Sequence, residues 1–287
     1  MYSHTIVHRL ISLRLIALAI APAAMQAQGP TRPMPSPRDS TLPTVFHIGD
    51  STVRNGSGDG SNGQWGWGDL TPCYFNGTRV NVVNRALGGR SSRTYLTGGQ
   101  WDGVLAMLKP GDVVIMQFGH NDGGAVNDTS RARGSLRGIG DESEEIDNLL
   151  THKHEVVHTF GWYMRKFIAD TRAKRATPIV ASLVPRNRWE NGAVQRNKKD
   201  YAGWAEDVAR AEGVAFLDLN ELIAREYDTL GEQKVKPFFV EDRTHTTLEG
   251  AKFSARVVVA GLRRLPTNPV GAYLLDEQAA VRSCKSE

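Results

Sequence analysis

The stretch DVVIMQF at residues 112–118, followed at once by GHND at residues 119–122, decides the fold of this chain. A near-continuous run of Val and Ile is typical of a strand whose two faces are both covered, as in a parallel sheet. Four further apolar runs have the length of a strand, and they lie at residues 44–48, 79–83, 178–184 and 214–219. The chain therefore carries five candidate strands of the buried kind.

Helix-like stretches separate most of these candidate strands. They lie at residues 101–108, 156–175, 201–212 and 247–265. Strands that alternate with helices pair in parallel through right-handed crossovers. We therefore predict an α/β fold, a three-layer sandwich with a five-stranded parallel sheet between its helices.

The composition is that of an ordinary globular protein. Of the 287 residues, 40% are hydrophobic and 23% are charged, which excludes collagen-like, wholly disordered and multi-span membrane proteins. The formal net charge is +4, but the arginines at residues 131–137 are followed at once by acidic residues at 141–147. Such mixed charge is typical of a solvated loop rather than of a surface that follows phosphates, so we expect no nucleic-acid partner.

The first residues have the pattern of an export signal. Arg9 and Arg14 precede an apolar run at residues 15–24, and small residues follow up to Ala27. The run is too short to span a bilayer; a membrane anchor or a plain helix is the alternative interpretation. We predict a signal peptide at residues 1–27, a secreted or periplasmic protein, and no membrane partner once the signal is removed.

The remaining chain divides into three parts. Residues 28–43 contain five prolines among polar residues, which predicts an extended linker. A globular domain at residues 44–265 and a C-terminal tail at residues 266–287 follow. Cys73 and Cys284 are the only cysteines, which excludes a disulfide framework and a four-thiolate zinc site. The sequence leaves open whether they form one bridge or stay as two free thiols.

Four polar stretches lie where strands end or where the last helix begins. They are GDST at residues 49–52, ALGGRS at 86–91, GHND at 119–122 and DRTH at 242–245. In open α/β sheets ligands bind beyond the carboxyl ends of the strands, so these stretches are candidates for one site. Residues 122–145 form a long polar loop, and loops of that length are uncommon unless they are functional.

The side chains of these stretches supply the groups that acyl transfer needs. Ser51 offers a hydroxyl, which requires a base before it can attack at neutral pH. His245 can be that base, because imidazole titrates near neutral pH. Asp242 can hold the other ring nitrogen, which completes a catalytic triad. The backbone N–H groups of Ser51 and Gly89 and the side-chain amide of Asn121 can hold the oxyanion.

The four stretches resemble the four blocks of the SGNH, or GDSL-type, serine hydrolase superfamily, whose letters correspond to Ser51, Gly89, Asn121 and His245. Three longer segments are similar to rhamnogalacturonan acetylesterases: VNRALGGRSSRTY at residues 83–95, GHNDGG at 119–124 and DRTHT at 242–246. Thr52 stands where GDSL has Leu, which fits the acetylesterases. Val53 excludes the G-x-S-x-G nucleophile elbow of α/β-hydrolases.

This resemblance implies a flavodoxin-like fold over residues 44–265. It further implies a secreted serine esterase that removes O-acetyl groups from pectin through an acetyl-enzyme, with an acetylated polysaccharide or oligosaccharide as substrate and no metal or other cofactor. The alternatives are an esterase of xylan or another acetylated glycan, a short-chain lipid esterase, and an inactive carbohydrate-binding domain. The intact Ser51, Asp242 and His245 argue against the inactive domain.

A competing motif lies at residues 154–158. The sequence HEVVH matches the zinc-protease pattern H-E-x-x-H, in which two His on one helix face bind zinc and Glu155 acts as the base. Gly161 continues the longer pattern, but the third-ligand position holds Met164, a thioether poorly suited to zinc, and Glu221 is an alternative ligand. Because the motif has only three fixed letters, chance also explains it.

Four side chains near the strand ends are candidates for sugar binding. Trp65 and Trp189 can stack on sugar rings, although core packing explains them equally well. Arg90 and Arg93 can pair with a uronate carboxylate, since Arg favours planar bidentate partners, and structural ion pairs explain them equally well. Four further polar residues are expected to hold the backbone rather than to react: His47, Asp50, His120 and Asp122.

Overall fold

Nine strands and eight helices form the part of the chain that the computed structural model describes, residue 1 and residues 33–285. The strands are β1 (Thr44–Gly49), β2 (Asn81–Asn84), β3 (Val113–Gln117), β4 (Ser143–Asp147), β5 (His154–His158), β6 (Thr177–Ala181), β7 (Trp189–Glu190), β8 (Ala193–Val194) and β9 (Ala215–Leu217). The helices are α1 (Ser92–Thr97), α2 (Gln100–Leu105), α3 (Phe160–Ala173), α4 (Tyr201–Glu212), α5 (Leu219–Leu230), α6 (Glu232–Val235), α7 (Leu248–Arg263) and α8 (Glu277–Lys285).

Five of these strands form one parallel sheet in the order β2-β1-β3-β6-β9. In its register, Ile115 of β3 lies between His47 of β1 and Ile179 of β6. Every residue of β1 and β3 is buried, as the runs of Val and Ile predict. Counted along the chain the order is 2-1-3-4-5, that of flavodoxin-like sheets, and it confirms the predicted fold.

Helices cover both faces of this sheet. Ile115 points to the face on which Ile223 of α5 and Val258 of α7 pack. The next residue, Met116, points to the opposite face, where Phe167 of α3 belongs to the same apolar cluster. Because successive side chains of a strand alternate between faces, one uninterrupted apolar run serves both cores.

The order of the strands creates a crevice at the carboxyl ends of β1 and β3. The chain passes from β1 to β2 on one side of the sheet, and from β3 to β6 on the other side. The two connections therefore leave these neighbouring strands in opposite directions and open a gap between them. Ser51 follows β1 and Asn121 follows β3, so both lie at this gap.

Residues 154–158 form a strand and not the start of the predicted helix. β5 pairs with β4 in antiparallel register. Helix α3 begins only at Phe160, after Thr159, whose side chain accepts a hydrogen bond from Trp162 N at 3.1 Å. The prediction of a helix from residue 156 is wrong at its start, because the β-branched pair of Val156 and Val157 suits a strand.

Segments on both sides of the predicted domain also contact it. The backbone N–H groups of Arg38 and Asp39 each donate to Asn81 Oδ1 at 3.2 Å. On the other side, Cys284 of α8 forms a disulfide with Cys73. The predicted limits of the domain are therefore too narrow, because neither segment carries an apolar pattern that indicates its contacts.

No helix within residue 1 and residues 33–285 has the length and hydropathy to cross a membrane. The predicted signal peptide at residues 1–27 lies outside the described residues apart from Met1, and so do residues 28–32 of the predicted linker. Export from the cytoplasm therefore stays a prediction.

Candidate active site

Ser51 follows β1 in a turn that its neighbours hold in place. Asp50 is buried, and its Oδ1 accepts hydrogen bonds from Thr52 N and Thr52 Oγ1, each at 2.8 Å. Gly49 is required before it, because a Cβ there would stand 2.5 Å from Gln117 O of the neighbouring strand. The turn leaves Ser51 half-buried at the end of the sheet.

The three predicted triad residues are in contact. His245 Nε2 lies 2.7 Å from Ser51 Oγ, and His245 Nδ1 lies 2.5 Å from Asp242 Oδ2. The other carboxylate oxygen of Asp242 accepts hydrogen bonds from the backbone N–H groups of Thr244 and His245, at 2.8 and 2.9 Å. With Nδ1 protonated and donating to Asp242, Nε2 carries the lone pair that accepts the hydroxyl proton of Ser51.

Asp242 is held in its ionised form. Partial burial acts to raise the pKa of this carboxyl, but the hydrogen bonds from the His245 ring and from the two backbone N–H groups outweigh it. The pKa of Asp242 therefore lies below its ordinary value. A carboxylate that stays charged fixes the ring orientation and stabilises a positive charge on the His245 ring.

The loop at residues 242–246 is tied to two other segments. Trp65 N donates to Thr246 O at 2.9 Å, and Thr246 Oγ1 donates back to Trp65 O at 2.6 Å. On its other side, Asn187 N donates to Arg243 O at 2.9 Å. These bonds hold the loop to the segment after β1 and to the segment after β6.

The loops that carry the predicted oxyanion residues Gly89 and Asn121 contact the end of β1 and each other. Leu87 N donates to Gly49 O at 3.0 Å, and a Cβ on Gly88 would lie 3.6 Å from Ser51 Cβ. Asn121 Nδ2 donates to Arg90 O at 2.8 Å. The loops after β1, β2 and β3 therefore converge at one place.

Asp122 and His120 brace the loop on either side of Asn121. Asp122 is buried and accepts hydrogen bonds from Ser92 N, Ser92 Oγ and Gly119 N, at 3.0, 2.5 and 3.0 Å. Burial raises the pKa of Asp122 to about 6, although the hydrogen bonds from Ser92 oppose the rise. Burial likewise lowers the pKa of His120 to about 4, so this ring is neutral at neutral pH.

Two half-buried arginines that no sequence motif indicates also reach these loops. Arg133 Nη1 donates to Gly89 O at 3.1 Å, and Arg186 Nη2 donates to His120 O at 3.3 Å. Burial lowers the pKa of both guanidinium groups. The only sequence signal for Arg133 is its place in the long loop at residues 122–145.

Arg93 does not contact a substrate, and this prediction is wrong. Its side chain is completely buried. Its Nε and Nη2 donate to the two carboxylate oxygens of Glu155 at 2.7 and 2.6 Å, and its Nη1 donates to Val126 O and Gly134 O at 2.7 and 2.8 Å. With all these donors engaged, Arg93 fixes the long loop after β3 to the strand β5.

We expect Arg93→Ala to lower the free energy of unfolding by about 3 kcal/mol, because it leaves a largely buried carboxylate without its ion-pair partner and two carbonyl groups without this donor. The value is at the low end for a broken buried pair, since the Glu155 side chain is still 17% exposed. Urea denaturation measures the loss. Arg90→Ala is the matched control, because Arg90 is half-buried and no carboxylate of the described chain lies within 4 Å of it; equal losses in both variants would contradict the prediction.

The HEVVH segment lacks the helical geometry that the zinc motif requires. His154 and His158 lie at opposite ends of β5. Residues four apart in a strand are separated by about 13 Å, too far for both side chains to bind one zinc ion. The carboxylate of Glu155, the base of the motif, is occupied by Arg93. The zinc-protease hypothesis therefore fails on geometry.

The other three candidates for sugar binding are partly accessible. Trp65 is half-buried and pairs with the loop of His245 through its backbone. Trp189 is half-buried, and its Nε1 donates to Asn187 Oδ1 at 2.8 Å. Arg90 is half-buried beside Asn121, and burial lowers the pKa of its guanidinium. Their contact with a substrate stays a prediction.

Comparison with known proteins defines the class. The chain matches the family of GDSL-like lipases and acylhydrolases over residues 47–253. It belongs to this family, which confirms both the predicted resemblance and the predicted enzyme class, a carboxylic ester hydrolase.

Two relatives and one solved structure refine the comparison. The chain is 32% identical to the rhamnogalacturonan acetylesterase of Emericella nidulans over 212 residues, covering 74% of this chain and 81% of the relative. It is 30% identical to the probable rhamnogalacturonan acetylesterase YesY of Bacillus subtilis over 226 residues, covering 77% and 93%. The crystal structure of YxiM from Bacillus subtilis is similar with a TM-score of 0.62 and 26% identity, over 78% of this chain. The match spans 56% of the length of that structure.

Proposed function

We propose that this protein is an exported carbohydrate O-acetylesterase that removes acetyl groups from rhamnogalacturonan, a pectin. The observation that carries the proposal is the hydrogen-bonded series of Asp242, His245 and Ser51, with distances of 2.5 and 2.7 Å. Membership of an acylhydrolase family supports the ester-cleaving reaction. The names of two relatives, both rhamnogalacturonan acetylesterases, support the substrate.

In the first step, Ser51 Oγ attacks the carbonyl carbon of the acetyl ester, and its proton passes to His245 Nε2. The imidazolium ion that forms is stabilised by the ionised Asp242, which accepts a hydrogen bond from Nδ1. The electron pair of the carbonyl π bond moves onto the carbonyl oxygen, and a tetrahedral intermediate results.

The negative oxygen of this intermediate needs donors that are already in place. We assign this task to the backbone N–H groups of Ser51 and Gly89 and to the side-chain amide of Asn121. Asn121 Nδ2 has two N–H groups, of which one donates to Arg90 O and orients the amide, so the second is left for the oxyanion. Each such donor typically lowers the barrier by about 3–4 kcal/mol.

Collapse of the intermediate breaks the bond between the carbonyl carbon and the sugar oxygen. His245 gives its proton to that oxygen, and the sugar leaves as an alcohol. A water molecule then attacks the acetyl group on Ser51 while His245 takes a proton from the water. The second intermediate collapses in the same way, so acetate leaves and the hydroxyl of Ser51 is restored.

The proposal includes export of the protein from the cytoplasm. The basic and apolar pattern of residues 1–27 supports it. The disulfide between Cys73 and Cys284 supports it too, because disulfides persist mainly in oxidising compartments. Protein recovered outside the cytoplasm should begin near residue 28 when its N-terminus is sequenced; a retained N-terminus would contradict cleavage.

The substrate is tested by measuring acetate or acid release from acetylated rhamnogalacturonan, acetylated xylan and short-chain lipid esters at matched ester concentrations. We expect the highest kcat/KM for acetylated rhamnogalacturonan. The variant Ser51→Ala gives the background rate for each substrate. A higher kcat/KM for xylan or for the lipid esters would contradict the proposed substrate, while the ester-cleaving mechanism would still stand.

A further inference from the structure

A polar cavity of about 270 Å³ lies next to the loops of the candidate active site. Its lining residues are Arg186, Arg188, Glu190, Gln195, Arg196 and Asn197. Two hydrogen bonds connect its wall to the site. Asn187 N donates to Arg243 O, between the two triad residues of that loop, at 2.9 Å, and Arg186 Nη2 donates to the carbonyl of His120, next to Asn121, at 3.3 Å.

The arginines of this cavity differ in whether their charge is neutralised. Arg196 is paired with Asp228 at 2.6 Å and with Glu221 at 3.5 Å. Within residues 33–285, in contrast, no carboxylate lies within 4 Å of the guanidinium groups of Arg186 and Arg188. Two positive charges therefore line the cavity without an ion-pair partner.

One carboxylate, that of Glu190, is among the lining groups. It accepts a hydrogen bond from Gln195 Nε2 at 3.3 Å. Set against the two unpaired guanidinium groups, it leaves a surplus of one positive charge in the cavity. A ligand with a single negative charge balances this surplus.

Of the two unpaired arginines, Arg186 is the one whose charged form such a ligand stabilises more. Burial and the positive charge of Arg188 hold its pKa below the ordinary value. Three more distant carboxyls, those of Asp50, Asp242 and Asp200, oppose this without overcoming it. An incoming carboxylate in direct contact replaces the hydration that burial has removed and offsets the repulsion between the two arginines.

We propose that this cavity binds the carboxylate of a uronate residue of the substrate, and that Arg186 and Arg188 are the side chains that give this specificity. The inference rests on the proposed function, because the backbone of rhamnogalacturonan contains uronate residues. The forked donors of Arg match the two oxygens of a planar carboxylate. The role expected for Arg93 from the sequence thus falls to two arginines on a different segment.

The test compares two substrates that differ in whether the uronate carboxylate is free or blocked. Acetylated rhamnogalacturonan oligosaccharides are used with free carboxylates and, in parallel, with the carboxylates methyl-esterified. We expect the wild-type enzyme to prefer the free acid in kcat/KM. Arg188→Gln should reduce this preference about 10- to 100-fold, mainly through KM, because each hydrogen bond to the charged group is lost in binding.

Two further variants keep the outcome interpretable. Arg188 is exposed, so its substitution does not disturb the fold. Arg186→Lys tests the half-buried arginine while retaining its charge. Arg186→Lys should lose part of the preference, since Lys cannot form the fork. Arg256→Gln removes one positive charge from α7, where Arg256 lies exposed over the Phe253 ring at 4.9 Å, and should keep the wild-type preference.

The possible failures of the inference and of the proposed function give different results. If the wild-type enzyme cleaves the free-acid and the methyl-esterified oligosaccharides equally well, or if Arg188→Gln and Arg186→Lys keep the full preference, the uronate site is refuted and the acetylesterase stands. If Arg256→Gln loses the preference as strongly as Arg188→Gln, overall charge explains it and the site is refuted. If neither form of the rhamnogalacturonan oligosaccharides is cleaved but acetylated xylan is, the proposed substrate and the uronate site are both wrong.

Discussion

Replacing Ser51 by alanine should lower kcat by about 10⁴- to 10⁶-fold on any acetyl ester that the enzyme cleaves. Ser51 Oγ is the atom that His245 Nε2 contacts at 2.7 Å, and no covalent acetyl intermediate can form without it. The residual rate comes from the donors that remain around the carbonyl oxygen. Continuous measurement of acetate release, with enzyme concentration raised to detect the slow variant, gives the ratio.

Two controls accompany this measurement. Ser61→Ala removes a hydroxyl from an exposed residue ten positions later and should keep kcat within about twofold, as surface changes away from a site usually do. Labelling with an organophosphate should modify the wild-type chain at Ser51 and leave Ser51→Ala unmodified. A variant that retains more than a tenth of the activity would falsify the assignment of the nucleophile.

Loss of the disulfide should lower the free energy of unfolding by about 5 kcal/mol. Cys73 and Cys284 are separated by 211 positions, so the bridge closes most of the described chain into one loop. In the chain-entropy model, the bridge lowers the conformational entropy of the unfolded chain by an amount that grows with the logarithm of the loop length. For a loop of this length the model gives this value. Urea denaturation of the oxidised and the reduced protein measures the difference.

The composition of the chain makes this experiment specific. Because Cys73 and Cys284 are the only cysteines, a reductant acts on no other thiol pair. The double variant Cys73→Ser, Cys284→Ser should match the reduced protein and should not respond to the reductant. If the oxidised and reduced proteins unfold with the same free energy, the disulfide contributes nothing to global stability and the prediction fails.

The central sheet could be predicted from the sequence because its strands are buried on both faces. The run at residues 112–118 contains β3, and the run at 44–48 differs from β1 only by Gly49. The helix at residues 201–212 has the predicted bounds, since Gly213 ends it in a left-handed conformation. Long-range pairing was not needed to recognise any of these elements.

The β4–β5 ribbon could not be predicted in the same way. Its first strand, SEEID at residues 143–147, buries only Ile146 and gives no alternating apolar pattern. Because the sequence does not reveal a partner strand, the apolar positions within residues 154–158 look like a continuation of the helical pattern of α3. The choice between helix and strand there depends on pairing between segments, and local sequence does not contain it.

The same distinction applies to the candidate site, where local motifs predict some residues and long-range contacts determine the others. Ser51, His245 and Asp242 could be placed together from motifs, because each lies next to a recognisable strand or helix end. The burial of Arg93 could not be foreseen, since its partner Glu155 lies 62 positions away on the strand that was mistaken for a helix. The unpaired charge of Arg186 could not be foreseen either, because it depends on how far the fold places the nearest carboxylates from this side chain.

The distance along the chain between Ser51 and His245 has a consequence for when the enzyme can first act. The two residues are 194 positions apart, and the chain that joins them contributes every strand of the sheet after β1. A ribosome must therefore release the chain as far as His245 before this ring can reach the Ser51 hydroxyl. The emerging protein is therefore expected to cleave no ester until the segment that carries His245 has been synthesised and has folded against the end of β1.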